Sequence, residues 1–221
     1  MTNVNQYGWK ALVGSAVGYA MDGFDLLILG FMLSAISADL NLTPAQSGSL
    51  VTWTLIGAVV GGIVFGALSD RYGRVRVLTW TIVLFAVFTG LCAIAQGYWD
   101  LLIYRTIAGI GLGGEFGIGM ALAIEAWPAK HRAKAASYVA LGWQVGVLAA
   151  ALLTPVLLPH IGWRGMFVVG IFPAFVAWYL RTRLHEPEIF SRKQSALFTQ
   201  KTSKLESFKL LVKDKATTKV S

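Results

Sequence analysis

Gly66-Ala67-Leu68-Ser69-Asp70-Arg71-Tyr72-Gly73-Arg74-Val75-Arg76 places one acid and three arginines between two long apolar runs, 47–68 and 77–96. Each run is long enough to cross a hydrocarbon core of roughly 30 Å at about 1.5 Å per residue. Extending the reading outward gives further spans at 11–36, 101–124, 136–158 and 165–182. Short polar or Gly/Pro-bearing stretches divide them: Asp39 to Pro44, Asp70 to Arg76, Gln96 to Asp100, Pro128 to Lys134 and Pro159 to Arg164. The first span is too long for a signal-peptide core, and no convincing cleavage pattern follows it. The expected fold is therefore an all-α membrane protein with six transmembrane helices. Residues 1–10 form a cytoplasmic N-terminus, 11–184 the six-helix transmembrane bundle and 185–221 a basic cytoplasmic linker.

Composition agrees. The chain is 56% hydrophobic and 14% charged, whereas a soluble domain carries about 25% charged residues. A net charge of +8 raises nucleic acid as a partner, and the placement of the charges removes it. Of 19 Lys and Arg residues, all but Arg105 and Arg164 fall on one side of the bilayer when the N-terminus is inside. They are Lys10, Arg71, Arg74, Arg76, Lys130, Arg132, Lys134 and the tail from Arg181 to Lys219. Basic residues mark the cytoplasmic face, so both ends are expected to be cytoplasmic; the membrane expected is the bacterial cytoplasmic (inner) membrane. In the tail, Leu205, Phe208, Leu211 and Val212 recur at helical spacing opposite Lys204, Lys209 and Lys213. That pattern suits a short helix on an anionic lipid surface, with a disordered linker as the alternative.

Ionisable residues inside the spans point to function. Asp22 and Asp25 lie on one face of the first span, about 18 and 22 Å above Lys10. The fourth span carries Arg105 about one turn from its outer end and Glu115 about 20 Å down. Each acid facing lipid at mid-depth would cost roughly 2.5–3.5 kcal/mol, so these side chains must face a polar cavity, pair with a cation or become protonated. A carboxylate at mid-depth gains proton affinity on desolvation and loses it beside a cation, which is the apparatus proton coupling needs. Arg105 is the one intramembrane cation, either as counter-ion or as the group attracting a substrate carboxylate. A static buried ion pair is the plainer reading, and it would leave two acids over. Gln144, about 12 Å into the fifth span, is a candidate hydrogen-bonding contact for substrate or a packing residue.

Gly109, Gly111 and Gly114 fit the dinucleotide pattern G-x-G-x-x-G, but that fingerprint needs a strand before it and a βαβ unit around it. Inside an apolar span, small residues instead let helices approach closely, and the same device recurs at Gly57/Gly61, Gly62/Gly66 and Gly142/Gly146. The histidines, His131, His160 and His185, sit at span boundaries without metal-ligand spacing, and Cys92 is the single cysteine. No catalytic constellation, metal site or cofactor is expected, so an enzyme is disfavoured.

The segment from Gly66 to Arg76 resembles the signature loop of the major facilitator superfamily, G-x-L-S/A-D-R-x-G-R-R/K-x-R/K, with Val75 departing from a usual basic residue. Arg105 with Gly109 and Gly111, Glu125-Ala126-Trp127-Pro128 with Arg132, Gly162-Trp163-Arg164 and Glu186-Pro187 are also similar to that superfamily. Asp22-Gly23-Phe24-Asp25 with Gly113-Gly114-Glu115 narrows the likeness to its aromatic-acid and sialate proton symporter branches. The resemblance covers about residues 8 to 190. It implies half of a twelve-helix fold, each half a 3+3 inverted repeat, with Asp22/Asp25 and Glu115 as counterparts facing a central cavity. It implies proton symport of a small organic anion by alternating access, with Asp22, Asp25, Arg105 and Glu115 in coupling. It implies an inner gate from Gly66, Asp70, Arg71, Gly73, Arg74, Glu125 and Arg132, in which Arg74 pairs with Glu125 and Asp70 meets the other half. Family members continue through six more helices beyond the position of Ser221. The resemblance therefore implies a missing C-terminal half as partner, with a homodimer as substitute. A sugar or polyol carrier, an exporter and a non-transporting membrane scaffold are the alternatives.

Overall fold

A computed structural model describes residues 6–182; the linker expected over 185–221 and its amphipathic helix lie outside the described residues. The chain runs α1 (Gln6–Leu40), α2 (Pro44–Tyr72), α3 (Arg74–Cys92), α4 (Tyr98–Glu125), a 3₁₀ turn (Ala129–His131) and α5 (Arg132–Thr182). Among the described residues, 5 helices are long and apolar enough to cross a membrane. The last has 51 residues, about 77 Å at 1.5 Å per residue, far beyond one crossing. Its backbone leaves helical geometry at Gly162, with φ 63° and ψ 177°. Helical segments 132–161 and 163–182 thus meet at that residue, where only glycine accepts positive φ without strain.

Local chemistry explains where the other helices begin and end. Thr43 caps α2 through a reciprocal box with Gln46, and Pro44 occupies the first turn, where a missing N–H costs nothing. The charged bridge at 70–76, expected as a loop, is helical except at Gly73, whose φ of 104° turns the chain in one residue. Consequently α3 starts at Arg74 rather than at residue 77. It also ends early, at Cys92 instead of 96, because Ala93, Ile94 and Ala95 donate to carbonyls three residues back in a tightened final turn.

Helix α1 packs chiefly on α5, α2 on α4, and α3 lies against both α4 and α5. Glycines set these crossings. A Cβ at Gly57 or Gly61 would run into the carbonyls of Thr106 and Ile110 on α4, and one at Gly142 or Gly146 into those of Ala16 and Ala20 on α1. Likewise Gly113 meets the Ala58 carbonyl, and Gly23 the Trp143 carbonyl. From 57, 58 and 61 to 142, 143 and 146 the offset is 85, and from 16, 20 and 23 to 106, 110 and 113 it is 90. The α2–α4 and α1–α5 crossings are therefore built to one register. Outward, α2 and α5 expose Val59, Ile63, Val145 and Leu152, an apolar surface of the kind a protein in contact with lipid presents.

Candidate coupling and gating site

The close crossings of α1 with α5 and of α2 with α4 seal the intramembrane charges inside the bundle. Asp22, Arg105 and Glu115 are each 0% exposed and Asp25 is 1% exposed. The acids expected to face a central cavity thus lie below the surface of the described bundle in this structure. The arginine is committed to one acid. Arg105 Nη1 donates to Asp25 Oδ1 at 3.0 Å and Nη2 to Oδ2 at 2.8 Å, the fork geometry that suits a guanidinium and a carboxylate. Phe167 presents its ring 5.7 Å from the guanidinium carbon, and buried Cys92 lies beside it. Buried and doubly bonded to Asp25, Arg105 does not stand open to a substrate carboxylate in this structure. In this structure it is the ion-pair partner of Asp25.

Asp22 and Glu115 belong to a different neighbourhood. Both lie within electrostatic reach of Tyr19, whose hydroxyl donates to the Phe116 carbonyl at 2.7 Å. The Tyr19 ring stacks on Phe116 at 4.6 Å between centroids, and Trp143 meets Phe116 edge-on at 5.9 Å. Gln144, the next residue on α5, is exposed. Sequence reasoning missed Tyr19, Phe116 and Trp143. The available signal was the place of Phe116 beside Glu115, of Trp143 beside Gln144 and of Tyr19 just before Asp22, but three aromatics on three helices look like packing until the helices are assembled.

At the end of the bundle expected to be cytoplasmic, Arg74 Nε and Nη2 donate to the two carboxylate oxygens of Glu125 at 2.7 and 2.8 Å. The same guanidinium lies 3.2 Å from Asp70 and donates to Ser69 Oγ at 3.3 Å. Gly73, between Asp70 and Arg74, makes this clasp possible by aiming the start of α3 back at α4. Arg71 lies over the Tyr72 ring, and Arg132 Nε donates to the Trp127 carbonyl at 3.5 Å. Nothing lies within 4 Å of a Cβ at Gly66, so that glycine serves no close contact among the described residues. The sequence reading gave no role to a second clasp, at the opposite end of the bundle. Arg164 Nη1 and Trp163 Nε1 donate to Asp39 Oδ2 at 2.6 and 3.1 Å, and Arg164 Nη2 to the Ala95 carbonyl at 3.1 Å. Like Arg74, Arg164 follows closely on a positive-φ glycine. No group of three or more His, Cys, Asp or Glu able to hold a metal occurs among the described residues.

The major facilitator superfamily profile matches residues 15–218. The chain belongs to that superfamily. As a major facilitator it is an integral membrane protein of a transporter family, not an enzyme. It is 87% identical, over its whole length and 55% of the relative's, to a Haemophilus influenzae protein that carries only the provisional name of a metabolite transport protein. It is 35% identical to the sialic acid transporter NanX of Escherichia coli, over 84% of this chain and 46% of NanX. It is 32% identical to the cis,cis-muconate transport protein of Acinetobacter baylyi, over 97% of this chain and 52% of that one. The chain thus spans about half the length of the curated relatives it matches. In fold it is similar to the xylose transporter XylE of Escherichia coli in a partially occluded inward-open state, with a TM-score of 0.76 and 23% identity over 86% of this chain and 51% of XylE.

Proposed function

We propose that this facilitator forms one six-helix half of a twelve-helix carrier that imports a small organic anion together with a proton, by alternating access. The break at Gly162 supports six crossings, because segments 132–161 and 163–182 are each long enough for one. The shared register of the α1–α5 and α2–α4 crossings supports two three-helix repeats, with Asp25 and Glu115 matched by the offset of 90. The distribution of basic residues supports an inner-membrane chain with both ends cytoplasmic. A second six-helix unit completes the carrier, either a C-terminal half or another copy of this chain. Asp70, whose side chain is 71% exposed at the inner end, is placed to engage it.

The observation that carries the reading is the complete burial of Asp22 and Glu115 inside the described bundle. Acids at this depth are costly to keep and mark ion pathways. They take up and release the proton, Asp25 and Arg105 tie α1 to α4, and Gln144 offers the substrate a hydrogen bond. Relatives named for sialic acid and for muconate support a carboxylate as the cargo. The test is uptake of labelled benzoate into vesicles holding the complete carrier under an imposed pH gradient, alone and with excess xylose. Gradient-driven accumulation that Asp22→Asn or Glu115→Gln reduces at least tenfold is expected. Accumulation indifferent to the gradient would sink proton coupling, and competition by xylose would move the cargo to neutral sugars.

A further inference from the structure

We infer that Tyr19, Phe116 and Trp143 form the specificity surface of this carrier, selecting a planar, conjugated carboxylate over a puckered or polyhydroxylated one. This rests on the carrier reading above.

The argument begins with direction. Gly111 turns to Thr81 and Phe85 of α3, and Gly114 to Thr81 and to Phe65 of α2. Phe116 follows Gly114 by two residues, about 200° further round the helix, so it leaves α4 on the side away from α3. There it remains 45% exposed. Its ring has a fixed backing. Tyr19 is 3% exposed, lies 20° from parallel with Phe116 and is anchored to the backbone of Phe116 through its hydroxyl. Trp143 stands at 88° to Phe116, and its backbone is pressed against Gly23. The result is a flat ring, backed on one side and walled on another, next to Asp22 and Glu115 and one residue from Gln144.

Packing alone does not require these aromatics. The repeat offsets of 85 and 90 pair Trp143 with Ala58, Tyr19 with Gly109 and Phe116 with Leu26. The matching crossing therefore closes with the same backbone contacts and no ring at any of the three positions. Where two halves of a repeat share a backbone plan and differ in bulk, the difference is free to serve the cargo. An exposed, backed aromatic face favours a second π-system in offset or edge contact by about three- to tenfold over an aliphatic ring of the same size. Puckered, hydroxyl-bearing rings lose that contact and place polar groups against an apolar face.

The experiment measures competition against labelled benzoate uptake by the complete carrier in vesicles, using unlabelled benzoate, cyclohexanecarboxylate and N-acetylneuraminate. Benzoate and cyclohexanecarboxylate share charge and size but differ in planarity. The expected result is a three- to tenfold preference for benzoate over cyclohexanecarboxylate, falling to about one in Phe116→Leu, which copies the repeat-mate residue, and in Trp143→Leu. The ratio is read within each variant, so changes in the amount of folded carrier cancel. Phe116→Tyr keeps the ring and should keep the preference. Proton-driven uptake without a planar preference, with N-acetylneuraminate the best competitor, or with the preference intact in both leucine variants overturns this proposal and leaves the carrier reading standing. No proton-driven uptake of benzoate, cyclohexanecarboxylate or N-acetylneuraminate overturns the carrier reading itself, and this proposal with it.

Discussion

Replacing Asp25 with Asn tests whether the Asp25–Arg105 pair holds the bundle together. The substitution keeps shape and one carbonyl oxygen but leaves the guanidinium charge uncompensated at a position 0% exposed. Removing one partner of a buried, doubly bonded pair costs about 3–5 kcal/mol, because the survivor keeps its desolvation penalty. For a chain of this size about 1 kcal/mol moves a melting midpoint by about 2–4 °C, so the midpoint should fall by roughly 6–20 °C. Arg105→Gln should do the same from the other side. The double variant Asp25→Asn/Arg105→Gln carries no charge and can keep an amide–amide hydrogen bond. It should recover most of the loss, leaving a deficit of about 1–2 kcal/mol, so the sum of the two single losses should exceed the double loss by about 4–9 kcal/mol. The sequence supplies its own reporter: Cys92 is the single cysteine and is buried beside the pair. A maleimide dye that fluoresces on reaction with this thiol therefore follows thermal unfolding in detergent without an engineered cysteine. If Asp25→Asn melts with the parent, or the double variant loses the sum of the two singles, the pair is not a coupled structural unit and the reasoning fails.

Other consequences can be read in the same melting assay. Gly61→Ala and Gly146→Ala, repeat mates whose Cβ atoms would strike the carbonyls of Ile110 and Ala20, should each lose about 1–3 kcal/mol or more. Gly66→Ala, with nothing within 4 Å, should be neutral or gain up to about 1 kcal/mol through helix propensity. Arg74→Lys gives up the fork on Glu125 and should cost about 1–2 kcal/mol. Asp39→Asn, in a pair with side chains 43% and 47% exposed, should shift the melting midpoint only slightly, an effect that added salt diminishes. Gly73→Ala forces a side chain into φ 104° and should cost about 1–3 kcal/mol; a variant melting with the parent would show that the α2–α3 turn is not strained.

Much of this protein could be read along one dimension. Apolar run length against bilayer thickness gives the crossings, and the clustering of Lys and Arg gives a side to each loop. A charge at mid-depth stands out in any apolar run, which is how Asp22, Asp25, Arg105 and Glu115 were found without coordinates. Boundaries were less legible: a charged stretch such as 70–76 reads as a loop, yet a single glycine at 73 lets both helices continue through it. The turn at Gly162 was blurred for the opposite reason, since helix resumes immediately on either side.

Pairing was beyond the sequence. Three acids and one arginine can be matched in three ways, and the spacing along α1 and α4 favours none of them. The crossing angle and depth of those helices decide it, through glycine contacts on α5 and α2. Closure of the same contacts placed the acids below the surface of the described bundle. It also brought Tyr19, Phe116 and Trp143, each unremarkable within its own helix, onto one surface. Hydropathy and charge are properties of a residue and its chain neighbours, so the sequence determines the long apolar helices of an integral membrane protein and the unusual charges within them. Which charge meets which partner, and which rings share a face, depends on distances between helices, and only the assembled bundle sets those.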